Sequence, residues 1–131
     1  MSQNSVMQSL RVLVVEDDDD SREMLTELIG SLGCDSLGAA NADEATERAR
    51  DGAWDIALID LGLPDVDGCE VARRLRAAEV GRRRKLVALT GFSDTATRTA
   101  AREAGFDDFL VKPVFPEKLL EVLKAEAAPK S

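Results

Sequence analysis

Histidine does not occur in this chain of 131 residues. Its absence removes imidazole acid–base catalysis, Ser-His-Asp and Cys-His nucleophiles, and most zinc sites. Carboxylates, hydroxyls, lysine or a bound hard cation are left to carry any chemistry. Cysteine is scarce as well. Cys34 and Cys69 stand far apart and outside any C-x-x-C spacing, so they form no metal or redox framework and suit a reducing compartment as packing residues. Long apolar runs are missing: no stretch of about 18 apolar residues could span a bilayer. The opening MSQNSVMQSL lacks the basic start and continuous apolar segment of a secretory signal. The expected location is cytoplasmic, without membrane insertion. Positive charge is in the minority, with 17 Lys and Arg against 25 Asp and Glu and a net charge of -8. That balance opposes direct binding to nucleic acid or anionic lipid through nonspecific electrostatics. Seven basic residues nonetheless fall between Arg73 and Lys85, as a solvated helix face with its loop or as a local basic patch.

What is present suits one domain with one core, at 44% hydrophobic and 32% charged residues. The β-branched run RVLVVE (Arg11–Glu16) predicts a buried strand, and Asp20 with Glu23 opens a helix carrying Met24, Leu25, Leu28, Ile29 and Leu32 on one face and stopping at Gly33. A short strand from Cys34 to Ala39 follows, then a capping box of Asn41 and Glu44 for a helix to about Arg50. IALID (Ile56–Asp60) is the third strand. After the loop GLPDVDG comes a helix to about Glu79 with Val71, Ala72 and Leu75 inward. KLVALT (Lys85–Thr90) is the fourth strand, and Ser93 or Asp94 caps a helix ending at Gly105. DFLV (Asp108–Val111) is the last strand, before a helix opening at Pro116 with Leu119, Leu120 and Leu123 inward. Five strands alternating with five helices predict a parallel sheet covered on both faces, with right-handed crossovers. Residues 10–126 are expected to form this domain, with flexible segments at 1–9 and 127–131.

In such a sheet, ligands bind beyond the carboxyl ends of the strands, where strand order reverses. The first strand ends in Glu16 and Asp17, the third in Asp60 and the fourth in Thr90, and Lys112 with Pro113 follows the fifth. Singly, each has an ordinary account as an acidic helix start, a turn residue, a strand end or a loop lysine. Together they describe a site. Converging carboxylates repel one another unless a cation offsets them, and magnesium takes one or two carboxylates plus water and phosphate oxygens. Thr90 can donate a hydrogen bond to a phosphoryl oxygen, and Lys112 can pair with another or with free Asp60.

In this order and spacing, VLVVEDD, LIDLGLPDVDG, ALTG and FLVKP resemble the receiver domain of two-component response regulators, from about Leu10 to Glu126. The resemblance implies a flavodoxin-like, doubly wound α/β fold: a five-stranded parallel sheet of order 2-1-3-4-5 with five helices. It implies that Asp60 is the phospho-acceptor, that Asp17 binds Mg2+ directly and Glu16 mainly through water, and that the Gly62 backbone carbonyl completes the protein's share of the metal sphere. Thr90 and Lys112 would contact the phosphoryl group. Thr90 and Phe109 would form the switch, Phe109 turning inward on activation, and the Lys112–Pro113 bond would be cis.

The implied donor is a phosphohistidine on a histidine kinase or histidine phosphotransfer domain. The implied listener is an output domain or target protein, with a phosphorylation-dependent dimer as a further implied state. Such a domain is not an enzyme turning over a free substrate; it catalyses only its own phosphorylation and dephosphorylation. ALTGF and KPV also resemble receivers of hybrid kinases. Three positions depart from the common pattern: Gly62 offers no side chain to water, Gly91 replaces an alanine beside the switch threonine, and Phe109 lacks a tyrosine hydroxyl. A magnesium-dependent phosphohydrolase is the competing enzyme reading, but it commonly has a second Asp two residues after the nucleophile, where this chain has Gly62. A third reading is a binding module that works without phosphorylation.

Overall fold

Short apolar runs bounded by turn residues form five strands, β1 (Arg11–Val15), β2 (Asp35–Ala39), β3 (Ile56–Asp60), β4 (Lys85–Thr90) and β5 (Asp108–Val111). Segments with helical apolar spacing form α1 (Asp19–Ser31), α2 (Ala42–Ala49), α3 (Gly68–Ala77), α4 (Thr95–Ala104) and α5 (Pro116–Ala127). The structure is a computed structural model that describes residues 10–50, 53–63, 66–79, 83–91 and 94–127. The expected tail 1–9, residues 128–131 of the expected tail 127–131, Pro64 and Asp65 of the GLPDVDG loop, and Ser93 lie outside the described residues, while Ala127 ends α5.

All strand pairs are parallel, in the order β2-β1-β3-β4-β5. The expected topology is therefore the observed one. Because side chains alternate across a strand, each central strand supplies two cores. Leu13, Val15, Ala57, Ile59, Leu86 and Ala88 meet Ala45 of α2, Val71, Ala72 and Leu75 of α3, and Ala101 of α4. Val12, Val14, Ile56, Leu58, Val87 and Leu89 meet Leu25 and Ile29 of α1, with Leu119 and Leu123 of α5, on the other face. Burial on both faces explains why these strands are continuous apolar runs rather than alternating ones.

The helix ends refine the sequence reading. Asp18, not Asp20, caps α1, its carboxylate accepting the Ser21 N–H at 2.8 Å. Several acids in a row could each serve as a cap, and the one with extended backbone at the loop exit does so. Met24, expected inward, is 68% exposed, because the buried stripe of α1 is centred on Leu25 and Ile29 and Met24 lies about 100° from Leu25 around the helix. Asn41 caps α2 as expected. The Glu44 carboxylate returns to the Ala40 N–H at 2.9 Å, which closes the reciprocal box one residue early. Asp94 caps α4, and Gly105 ends it at φ 111, in the left-handed region that glycine enters without steric cost. Among the described residues, no helix is long and apolar enough to cross a membrane.

Candidate functional site

Strand order sets β1, β3 and β4 side by side, so their carboxyl ends deliver Glu16, Asp17, Asp60 and Thr90 to one edge of the sheet. Carboxylate oxygens of Glu16, Asp17 and Asp60 lie within 4.8 Å of one another. Glu16 and Asp60 are buried, at 2% and 7% exposure, while Asp17 is open to solvent. Lys112 follows β5, where its N–H donates to the Thr90 carbonyl at 2.8 Å and the Lys112–Pro113 peptide bond is cis. From there its ammonium reaches across the site, 3.0 Å from Glu16 Oε1 and 3.0 Å from Asp60 Oδ2. Thr90 is buried. Gly62 is exposed, and its N–H donates to Asp60 Oδ1 at 2.9 Å.

The electrostatics separate the two buried acids. Burial pushes the Glu16 carboxyl up, and the hydrogen bond with Asp60 and the Asp60 charge add to this against the opposing pull of Lys112. For Asp60, burial acts in the same upward direction. The hydrogen bonds with Glu16, with the Gly62 N–H and with Lys112 outweigh it, and Asp60 is held below the ordinary carboxylate range. Lys112 is raised, because its two carboxylate partners overcome the effect of burial. Asp60 is thus the buried acid whose charged form its neighbours favour, with an ammonium beside it. Three clustered oxygen-donor acids also make a chemically suitable set for a hard divalent cation.

Two structural features hold Asp60 in place. All five residues of β3 are buried. At Gly68, the first residue of α3, an added Cβ would lie 2.8 Å from Leu61 Cα, 3.0 Å from the Asp60 carbonyl carbon and nearer still to the Asp60 carbonyl oxygen. Glycine at this position lets α3 abut the Asp60 peptide itself. Asp67 caps that helix end by accepting the Cys69 N–H at 2.9 Å.

Phe109 is half-buried on β5, packed against the α2–α3–α4 core, with the Arg98 and Arg102 guanidiniums 5.6 and 6.0 Å from its ring centroid. Sequence reasoning missed both arginines. Their i, i+4 spacing marks a shared helix face, but nothing local points to a partner on β5. In the basic stretch from Arg73 to Lys85, each described arginine has an acidic or aromatic neighbour, while Arg73 and Arg83 stay largely exposed. Arg73 and Arg74 pair with Glu70, Arg76 with Glu79 and Asp107, and Arg83 with Asp107, while Arg84 lies over the Trp54 ring.

Fold and site together define a doubly wound α/β protein with an acidic, lysine-bridged centre at its switch point. The family described as response regulator receiver domain matches residues 12–124. The chain belongs to that family. It is 37% identical over 120 residues to the transcriptional regulatory protein AruR of Pseudomonas aeruginosa, covering 87% of this chain and 48% of AruR. It is 33% identical over 113 residues to a 14.6 kDa protein of Leptolyngbya boryana, covering 86% of each. The chain therefore spans about half the length of AruR and most of the Leptolyngbya protein. Among solved structures, the receiver domain of a Pseudomonas aeruginosa sensor histidine kinase aligns with a TM-score of 0.82 and 30% identity, over 91% of this chain and 98% of that one. That receiver has a magnesium ion coordinated in its active site cleft.

Proposed function

We propose that Asp60 accepts a phosphoryl group from a phosphohistidine carried by a histidine kinase or histidine phosphotransfer domain. The observation that carries this reading is the buried Asp60 carboxylate with Lys112 Nζ 3.0 Å away. One Asp60 oxygen attacks phosphorus, the phosphorus–nitrogen bond breaks, and the histidine nitrogen leaves with the electron pair. A carboxylate needs no general base for this step, which suits a chain without histidine. Lys112 pairs with one oxygen of the transferring group and the Thr90 hydroxyl donates to another. Glu16, Asp17, Asp60 and the Gly62 carbonyl are the groups that would hold Mg2+, the ion coordinated in the similar Pseudomonas receiver. When bound, it supplies positive charge against the phosphoryl oxygens.

Residues 10–126 act as the receiver unit. It turns over its own acyl phosphate and no free substrate. Its signal passes through Thr90 and Phe109 to the face of α4, β5 and α5, where an output domain, a target protein or a second phosphorylated copy docks. The unit works in the cytoplasm and does not itself bind nucleic acid. Intact-mass measurement after incubation with Mg2+ and acetyl phosphate tests the core of the reading. One phosphoryl adduct is expected, and none in Asp60→Ala. The same adduct in the variant overturns the assignment, and repeated turnover of phosphate esters points to a phosphohydrolase instead.

A further inference from the structure

The β1–α1 loop must hold two acids of opposite exposure, buried Glu16 and open Asp17, in one fixed relation. Like charges close together drive such a loop apart unless its backbone is tied. Besides the Asp18 N–H, which donates to Glu16 Oε2 at 3.4 Å within the loop itself, three ties from other elements act on Glu16. Its N–H donates to the Ala39 carbonyl of β2 at 3.0 Å, and its carboxylate takes the Lys112 ammonium. The third tie comes from α1. Arg22 Nη1 donates to the Glu16 carbonyl at 2.9 Å, and Nη2 donates to Asp19 Oδ1 at 2.6 Å.

That arginine is seated by more than one contact. Its side chain is only 24% exposed, although it carries a full charge on a surface helix. The stem runs over Gly38 of β2, where an added Cβ would meet Arg22 Cδ at 3.3 Å, Cγ at 3.6 Å and Nε at 3.7 Å. A bare glycine thus leaves the lane in which the guanidinium approaches the loop. The carbonyl that Arg22 holds belongs to the peptide joining Glu16 to Asp17. Turning that peptide would swing Asp17 away from Glu16 and Asp60.

We infer that Arg22 is a positioning residue for the acidic site: by fixing the Glu16–Asp17 peptide it sets the two carboxylates in the relation a divalent cation requires. The inference rests on the metal reading given above and goes beyond it in naming a residue that touches neither the metal nor the phosphoryl group. Positioning and plain electrostatics predict opposite signs. Arg22 is a cation near an acid cluster, so its charge alone repels Mg2+, and its removal tightens binding. Loss of a positioning bond weakens binding, typically by about 10- to 100-fold for residues that orient metal ligands.

The test is isothermal titration of Mg2+ into the parent chain, Arg22→Ala and Arg22→Lys, with urea unfolding of each measured in chelator. Arg22→Lys keeps the charge but not the two-armed guanidinium. About tenfold weaker binding in both variants is expected. Unchanged affinity in Arg22→Lys, or tighter binding in Arg22→Ala, overturns the inference while leaving the metal site intact. A lower urea midpoint with unchanged affinity of the folded molecules assigns Arg22 a purely structural role and also overturns it. Should Arg22→Ala not fold, Arg22→Lys decides. A parent chain that binds no Mg2+ overturns the metal reading, and the inference with it.

Discussion

The Lys112 ammonium lies 3.0 Å from Glu16 Oε1, a contact between residues 96 positions apart, and the same nitrogen lies 3.0 Å from Asp60 Oδ2. One cation therefore offsets two buried acids, and a divalent ion entering the cluster competes with it. Removing the ammonium in Lys112→Ala is expected to tighten Mg2+ binding by about tenfold and to slow Asp60 phosphorylation by about tenfold or more. Isothermal titration and acetyl phosphate time courses read the two effects. Parallel weakening of both rejects the competition.

Gly68→Ala places a Cβ against the Asp60–Leu61 backbone, which belongs to a fully buried strand and cannot yield cheaply. A loss of about 1 to 3 kcal/mol in urea unfolding is expected, typical of overpacking. Asp60 should also shift, so phosphorylation by acetyl phosphate is expected to fall in the fraction that folds. Wild-type stability in this variant refutes the close approach.

Asp107 accepts from the Leu86 N–H at 2.9 Å, Arg76 Nη2 at 2.6 Å and Arg83 Nη2 at 2.7 Å. Burial opposes its ionisation, but bonds from Arg83, the Leu86 N–H and Arg76 outweigh that effect and hold it below its ordinary value of 3.8. A depressed folded-state value contributes stability above the unfolded value and loses it as pH falls through the folded one. Asp107→Asn is therefore expected to cost about 1 to 2 kcal/mol at neutral pH. The gap from the parent should shrink as pH drops below 3.8. Urea midpoints taken across pH check this, and a gap independent of pH contradicts it.

Arg98 and Arg102 both face the Phe109 ring from α4. Each contact is worth about 0.5 to 1 kcal/mol at a partly exposed site, so replacing either by Gln should change the balance of Phe109 positions by about two- to fivefold. Amide and ring resonances of Phe109, followed with and without phosphorylation, report that balance. Identical spectra for the parent and both variants exclude the contact as part of the switch.

Elements made by local pattern were legible in the sequence. β3, β4 and β5 have the expected bounds, because buried parallel strands are short apolar runs with polar ends. Glu16, Asp17 and Asp60 could be gathered on paper because strand ends of a doubly wound sheet converge. Choices among neighbours were not legible. Asp18 caps α1 where Asp20 was expected, since an acidic run offers several caps of equal chemistry. Met24 matched an apolar repeat yet falls at its outer edge. Long-range polar contacts were also hidden. Nothing in the sequence around Arg76 announces Asp107, nothing around Arg98 announces Phe109, and the bond from Arg22 to the Glu16 carbonyl involves a main-chain atom that every residue possesses.

The ring of Trp54 is buried at 2% exposure, donates from Nε1 to the Ala49 carbonyl at 3.2 Å and carries the Arg84 guanidinium 5.3 Å from its centroid. It is the sole tryptophan in a chain without tyrosine, and it precedes β3 at the end opposite Asp60, about 20 Å of extended chain away. Fluorescence excited selectively at tryptophan therefore has one source, seated far from the acids. Loss of the global fold changes that emission, whereas events at the acid cluster occur beyond its immediate surroundings. The chain thus carries its own unfolding reporter, and a probe attached near the acids would give a second optical channel in the same cuvette.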